Sequence, residues 1–233
     1  MHQPNPQGRQ PADPFVRSAP KVLIVTAVEA ERLAVLEGLA DDPRFDVIAA
    51  GVGTAAAAAG TAAAIARGHY LRVVSAGIAG GFAGTAEIGS LVVASQMIAA
   101  DLGSDSPDGF ISVDELGFGS SVIPAESGVS AALAGALSGA GLEARLGPVL
   151  TVATTTGTLE GAQALAARVP GAAAEGMEGF GVAEAARQFG LPALELRAIS
   201  NAVGPRDRAA WKIGEALGAL RTASSLLPEV FFA

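Results

Sequence analysis

The sequence contains no cysteine. That removes disulfides, thiolate nucleophiles and every thiolate metal site. Imidazole is nearly as scarce: only His2 and His69 are present, far apart and in no zinc-ligand spacing. No metal centre is expected, and neither histidine has the context of a catalytic base. There is no GxSxG and no GxxxxGK, and GVGTAAAAAG at 51–60 lacks the third glycine of the dinucleotide fingerprint. Serine hydrolases, P-loop proteins and dinucleotide-binding domains are set aside accordingly. Basic residues number 15 against 23 acidic ones, for a net charge of −8. With no basic cluster to compensate, a general nucleic-acid binder is excluded. What remains for chemistry is carboxylate, amide, hydroxyl and backbone.

What is there is apolar bulk. Half of the 233 residues are hydrophobic, enough for one sizeable core and too few residues for two large domains. Residues 1–20, MHQPNPQGRQPADPFVRSAP, lack the apolar segment of a signal peptide and are expected to form a flexible extension. The single domain is expected over 21–233, in a cytoplasmic protein. The uncharged run 47–66, VIAAGVGTAAAAAGTAAAIA, has membrane length but breaks at GVG, and reads as a strand, a glycine turn and a small-residue helix.

The order of elements points to an α/β fold. KVLIVTAV at 21–28 is a strand buried on both faces, EAERLAVLEGLA a helix, FDVIAAG a strand, the alanine-rich run a helix, and YLRVVSAGIAGG a third strand ending in a glycine corner. That alternation predicts a mainly parallel sheet with helices on both faces. Residues 88–103 read as one long strand or two, 106–124 as turns and irregular chain, and SGVSAALAGALSGAG as a helix. A strand over LEARLGPVLTVATTT, helices over LEGAQALAARVPG and GFGVAEAARQFG, the strand LPALELRAIS and a helix to about 226 follow.

In open α/β sheets ligands sit where parallel strands end. The residues at those ends are Glu29, the stretch Ser75 to Phe82, Glu178, and Ser200 with Asn201. Glu29 also suits a helix N-terminus, a task Glu31 would do equally well.

Together these segments resemble the nucleoside phosphorylase and nucleosidase superfamily, and within it the futalosine hydrolases. The resemblance covers roughly residues 21 to 226 and rests on VTAVEAE, GVGTAAAAAGTA (51–62), SAGIAGGF (75–82), AAAEGMEGFGVAEAA (172–186) and LRAISNAVGPRD (196–207). It implies a three-layer αβα domain around a mixed, partly barrel-like sheet. It also implies hydrolysis of the N-glycosidic bond of futalosine, releasing hypoxanthine and dehypoxanthine futalosine in menaquinone biosynthesis. A methylthioadenosine/adenosylhomocysteine-type nucleosidase, another purine nucleosidase, a phosphorylase and a non-catalytic small-molecule-binding domain are the alternatives.

Carried over residue by residue, the resemblance makes Glu29 the general base on water, and Glu178 the acceptor for the ribose hydroxyls, with Met177 against the sugar. Ser75, Ala76, Gly77, Ile78 and Phe82 would line the base and ribose pocket, with Thr156 and Ser200 beside them and Trp211 over the 5′ side. The adenine-cleaving relatives carry aspartate where this chain has Asn201. An amide donates to N7 and a 6-oxo group but mismatches a 6-amino group, so hypoxanthine is the expected base. The aryl carboxylate on futalosine's 5′ side would meet Arg145, Arg206 or Arg208. No cofactor, metal, nucleic acid or membrane is implied. The expected partners are the nucleoside, water and at least one further copy of the chain. The segment 101–118, with Phe110 and Phe118, would close a neighbour's pocket in such a homodimer.

Overall fold

A computed structural model describes residues 19–232, so the extension expected over 1–20 lies almost wholly outside the described residues. The chain runs β1 (Lys21–Thr26), α1 (Glu29–Leu39), β2 (Phe45–Ala49), α2 (Thr54–Ile65), β3 (Tyr70–Gly81) and β4 (Leu91–Ala99). It continues through β5 (Gly103–Ser106), β6 (Gly109–Ser112), β7 (Val122–Pro124), α3 (Ser127–Gly139), β8 (Ala144–Thr151) and α4 (Leu159–Arg168). The last third holds β9 (Ala174–Gly176), α5 (Gly179–Gln188), β10 (Ala193–Ala202), α6 (Ile213–Ser224) and α7 (Leu227–Phe232).

The continuous apolar run of β1 has a plain cause. The strand is paired on both sides, in parallel with β2 and β3, and covered on both faces. Leu23 and Val25 share a core with Ala57 of α2 and Val182 and Ala186 of α5. Val22 and Ile24, one residue out of phase, share the other with Val35 of α1, Leu133 of α3 and Leu220 of α6. Alternate side chains point to opposite faces, so a strand between two helical layers must be apolar at every position.

The sheet closes on itself. β3 pairs with β10, β10 with β4, β4 with β8, β8 with β9, and β9 returns to β3. This five-stranded ring is the barrel-like half of the domain; β1 and β2 extend it on one side and β7 attaches to β4. The last strand of the ring, β9, is three residues long and was not expected from the sequence. Its pairing is what folds the glycine-rich end of β3 inward, with Gly80 opposite Glu175.

Other expectations are refined. Residues 91–99 form one strand, and the segment expected to be irregular holds the β5–β6 hairpin and β7. The terminal helix is divided, ending at Ser224 and restarting at Leu227 with Pro228 in the first turn, where its missing N–H costs nothing. Residues 47–66 are strand, turn and helix, as read, and among the described residues no helix is long and apolar enough to cross a membrane.

Candidate active site

The loop after β1 turns into α1 through Val28, and here the sequence expectation needs correcting. Glu29 is exposed and pairs with Arg32 at 2.7 Å; it does not line the cavity at the strand ends. Glu31 does, and it is only 4% exposed. Two residues of helix rotate a side chain by about 200°, so the two glutamates of VEAE face opposite ways. One Glu31 oxygen accepts from the N–H of Ala27 (2.9 Å) and Val28 (3.2 Å), and the other from Ile78 N–H (2.9 Å). Three backbone donors, two from the loop after β1 and one from within β3, thus converge on a carboxylate belonging to the chain itself.

Beneath it lies a buried charge cluster. Arg197 of β10 is 1% exposed; its Nε donates to Glu195 Oε1 at 2.7 Å and its Nη2 to Ser75 Oγ at 3.0 Å, and Nη1 lies 3.5 Å from Glu178 Oε2. Burial works against the charged guanidinium, but Glu195, Glu178 and Glu31 together outweigh it and hold the pKa above the ordinary arginine value. Burial likewise pushes the Glu195 carboxyl up, against the pull of Arg197. Sequence reasoning passed over this pair, although LELRAIS places two opposite charges two residues apart, on one face of a mostly apolar strand.

Glu178 joins two sequence motifs that are far apart. Its Oε1 accepts from Gly53 N–H at 3.1 Å, and Thr54 Oγ1 donates to Met177 O at 3.1 Å. The GVG turn therefore serves the carboxylate of the ME pair rather than a dinucleotide, and Gly53 adopts the φ of 93° that this approach requires. On β10, Ser200 Oγ donates to Asn201 Oδ1 at 2.8 Å, and Asn201 Nδ2 donates to Ala202 O at 3.0 Å. Holding the amide oxygen leaves the second Nδ2 hydrogen as the group Asn201 can offer a ligand.

These elements surround a cavity of about 400 Å³. Of the residues expected to line it, Ile78, Thr156, Met177, Glu178, Ser200, Asn201 and Trp211 do. Ser75, Ala76, Gly77 and Phe82 do not. Ser75 is buried beneath the cavity as a partner of Arg197, and Ala76 points into the core below α1. Gly77 leaves space for Glu31 and Arg197, and Phe82 packs behind the wall residue Val203. Of the three candidate arginines only Arg206 lines the cavity, its guanidinium 5.1 Å from the Trp211 ring centroid. Arg145 instead donates to the carbonyl of Thr85, and Arg208 sits in the 3₁₀ turn after Asp207. Glu175, which sequence reasoning passed over, also lines the cavity and is 6% exposed. Among the described residues no group of acidic or imidazole side chains is arranged to hold a metal ion.

The chain is similar to known proteins in both sequence and fold. Residues 25–230 match the sequence profile of the Phosphorylase superfamily. The futalosine hydrolase of Streptomyces coelicolor is 50% identical over 231 residues, covering 90% of this chain and 95% of its own. That of Acidothermus cellulolyticus is 48% identical, covering 89% of this chain and 90% of its own. A solved structure of futalosine hydrolase from Helicobacter pylori has the same fold, with a TM-score of 0.77 at 20% identity, over 90% of this chain and 98% of that one. The chain belongs to the futalosine hydrolase family of the phosphorylase superfamily.

Proposed function

We infer that this protein hydrolyses the N-glycosidic bond of futalosine, releasing hypoxanthine and dehypoxanthine futalosine in menaquinone biosynthesis. The observation that carries hydrolysis over phosphorolysis is the seating of Glu31. A phosphate nucleophile needs an anion site of backbone N–H groups and cations. Here the N–H groups of Ala27, Val28 and Ile78 are already engaged by a carboxylate, which would repel a phosphate placed beside it. Water carries no such penalty.

The geometry and the family resemblance together support the following roles. Water held by Glu31 attacks C1′ of the ribose and gives its proton to that carboxylate. The C1′–N9 bond breaks with its electron pair passing to the purine, and in the transition state positive charge builds on the sugar. The purine takes up a proton from solvent to leave as hypoxanthine, while Glu31 returns its proton to solvent. Glu178, positioned by Gly53 and Arg197, accepts from the ribose hydroxyls and favours that charge. Met177 packs on the sugar. Asn201 donates to the N7 and O6 side of the leaving hypoxanthine, and Trp211 covers the 5′ arm. In this scheme Glu29 has no part.

The reading includes a homodimer. Val28 and Val52 are apolar cavity residues that stay largely exposed, as a wall completed by a second copy would be, and Phe118 is 83% exposed on the segment expected to reach a neighbour. Sedimentation equilibrium at micromolar concentration tests this: a fully active 23 kDa species would refute it. A cytoplasmic location accompanies the reading, in keeping with a diffusible nucleoside substrate, and cell fractionation tests it. For the reaction itself, purified protein is incubated with futalosine with and without phosphate, and the released base and sugar are separated by chromatography. Hypoxanthine release should be independent of phosphate and yield a free reducing sugar. Strict dependence on phosphate, with a sugar 1-phosphate as product, would overturn it.

A further inference from the structure

We propose that Glu175 reads the N1–H of a 6-oxopurine and forms, with Asn201, a two-sided clamp on the base. The proposal rests on the purine-nucleoside reading above and adds the residue that sets its base specificity.

Sheet register brings the two side chains to one place. On one side of β3, Gly80 is the register partner of Asn201; on the other side, of Glu175. The three residues form a row across three strands, and all three line the cavity. Neighbouring strands are about 4.8 Å apart, so the outer two backbones stand roughly 10 Å from each other. The middle position has no side chain, and a Cβ on Gly80 would lie 3.2 Å from Asn201 Nδ2. The result is a shallow slot floored by Gly80, with an amide donor at one end and a carboxylate at the other.

The chemistry of that slot matches one base. Around its six-membered ring a 6-oxopurine presents N7 and O6 as acceptors, then N1–H as a donor. An amide N–H suits the first two, and only an acceptor suits the third. A 6-aminopurine reverses both positions past N7, with a donor at N6 and a lone pair at N1, and that lone pair would face a carboxylate. Discrimination at two atoms exceeds what Asn201 alone provides.

Glu175 is also prepared for the task. Its Oε1 accepts from Thr156 N–H at 2.8 Å and its Oε2 from Thr156 Oγ1 at 2.5 Å, which fixes the side chain and leaves lone pairs on both oxygens. No cation pairs with it among the described residues. Burial pushes its pKa up despite the Thr156 hydrogen bonds, with the Asp101 charge adding to the rise. A buried carboxylate without a cation is costly, and a ligand N–H compensates it. The plainer role, anchoring the 153–158 loop through Thr156, makes a different prediction.

The test has two arms. With the native protein, hypoxanthine and 1-methylhypoxanthine are compared as product inhibitors of futalosine cleavage. The methylated base lacks the N1–H and should inhibit about 10- to 100-fold more weakly. Equal inhibition overturns the proposal, and this arm needs no variant to fold. In the second arm, kcat/KM is measured for futalosine and its 6-amino counterpart in the parent and in Glu175→Gln. The glutamine can turn its amide hydrogen toward an N1 lone pair, so the ratio should move toward the amino substrate by about 100-fold. A loss shared equally by both substrates marks Glu175 as a loop anchor only and overturns the proposal. Release of no base from either nucleoside by the parent would overturn the purine reading and the clamp with it, whereas hypoxanthine release with an unmoved ratio overturns the clamp alone.

Discussion

Glu31 and Gly77 are packed so closely that a methyl group does not fit between them. A Cβ on Gly77 would lie 2.5 Å from Glu31 Oε1 and 2.8 Å from Arg197 Nη1. The carboxylate has little freedom to retreat, since three backbone N–H groups hold it. Gly77→Ala should therefore displace the base by a fraction of an ångström while leaving the fold intact. A displacement of that kind costs about 100-fold in kcat. Full activity with unchanged circular dichroism would show that the Glu31 position is not critical.

The two glutamates of VEAE should separate cleanly. Glu31→Gln keeps the shape but cannot take a proton from water, and should lower kcat by about 100-fold or more with a small change in KM. Glu29→Gln removes only an exposed i,i+3 pair with Arg32, worth at most about 0.5 kcal/mol, and should leave kcat/KM near the parent value. Steady-state kinetics with futalosine decides. The reverse pattern would restore Glu29 as the base.

That pair also marks where reading the sequence stops. An apolar run such as β1 declares itself because burial on both faces demands it at every residue. Glu29 and Glu31 are distinguished only by the phase of the helix relative to the sheet, set by the extended Val28 at its start, and no composition rule supplies that. The ME pair, Asn201 and Trp211 were reached through the family resemblance, and all of them line the cavity. Glu175 was not, since its role depends on β9, a three-residue strand of alanine, glutamate and glycine with no strand propensity of its own. Only the ring closure makes it a strand.

Asn201→Asp should act in two directions. A carboxylate facing N7 and O6 repels where the amide donated, so hypoxanthine release should fall by about 10- to 100-fold. The same carboxylate accepts from a 6-amino group, so the aminated counterpart should gain relative to futalosine. The measurement is kcat/KM for both substrates in both proteins. An unmoved ratio would show that Asn201 does not sense the six-position.

Arg197→Met should damage folding and catalysis together. Without the guanidinium, Glu195 is left fully buried and unpaired, at a cost of about 3–5 kcal/mol. The sign of the pH dependence follows from the upward shift that burial already imposes on Glu195. A carboxyl whose folded pKa exceeds its unfolded one is bound more tightly to its proton when folded. Its contribution is greatest below the unfolded value, about 4.3, and is lost as pH rises through the folded value. The Tm deficit of the variant should therefore shrink as pH falls from about 8 toward about 5, because removing the arginine lifts that folded value further. A deficit independent of pH would mean that packing, not the buried charge imbalance, is what the variant loses.

Arg206 and Trp211 should divide the 5′ arm between them. The guanidinium stands 5.1 Å from the indole centroid at the cavity wall, and among the described residues no carboxylate pairs with it. A ring lying against Trp211 with a carboxylate at its edge would meet that charge. Arg206→Gln should raise KM for futalosine by about 10-fold, the scale of one charge-assisted hydrogen bond at a partly open site. It should leave cleavage of inosine, which has no aryl carboxylate, near the parent rate. Trp211→Ala should weaken futalosine and its methyl ester alike, because ring contact does not depend on the charge. The deciding comparison is futalosine against that methyl ester. The parent should prefer the free acid and Arg206→Gln should be indifferent, and a variant that keeps the preference would remove Arg206 from the carboxylate's recognition.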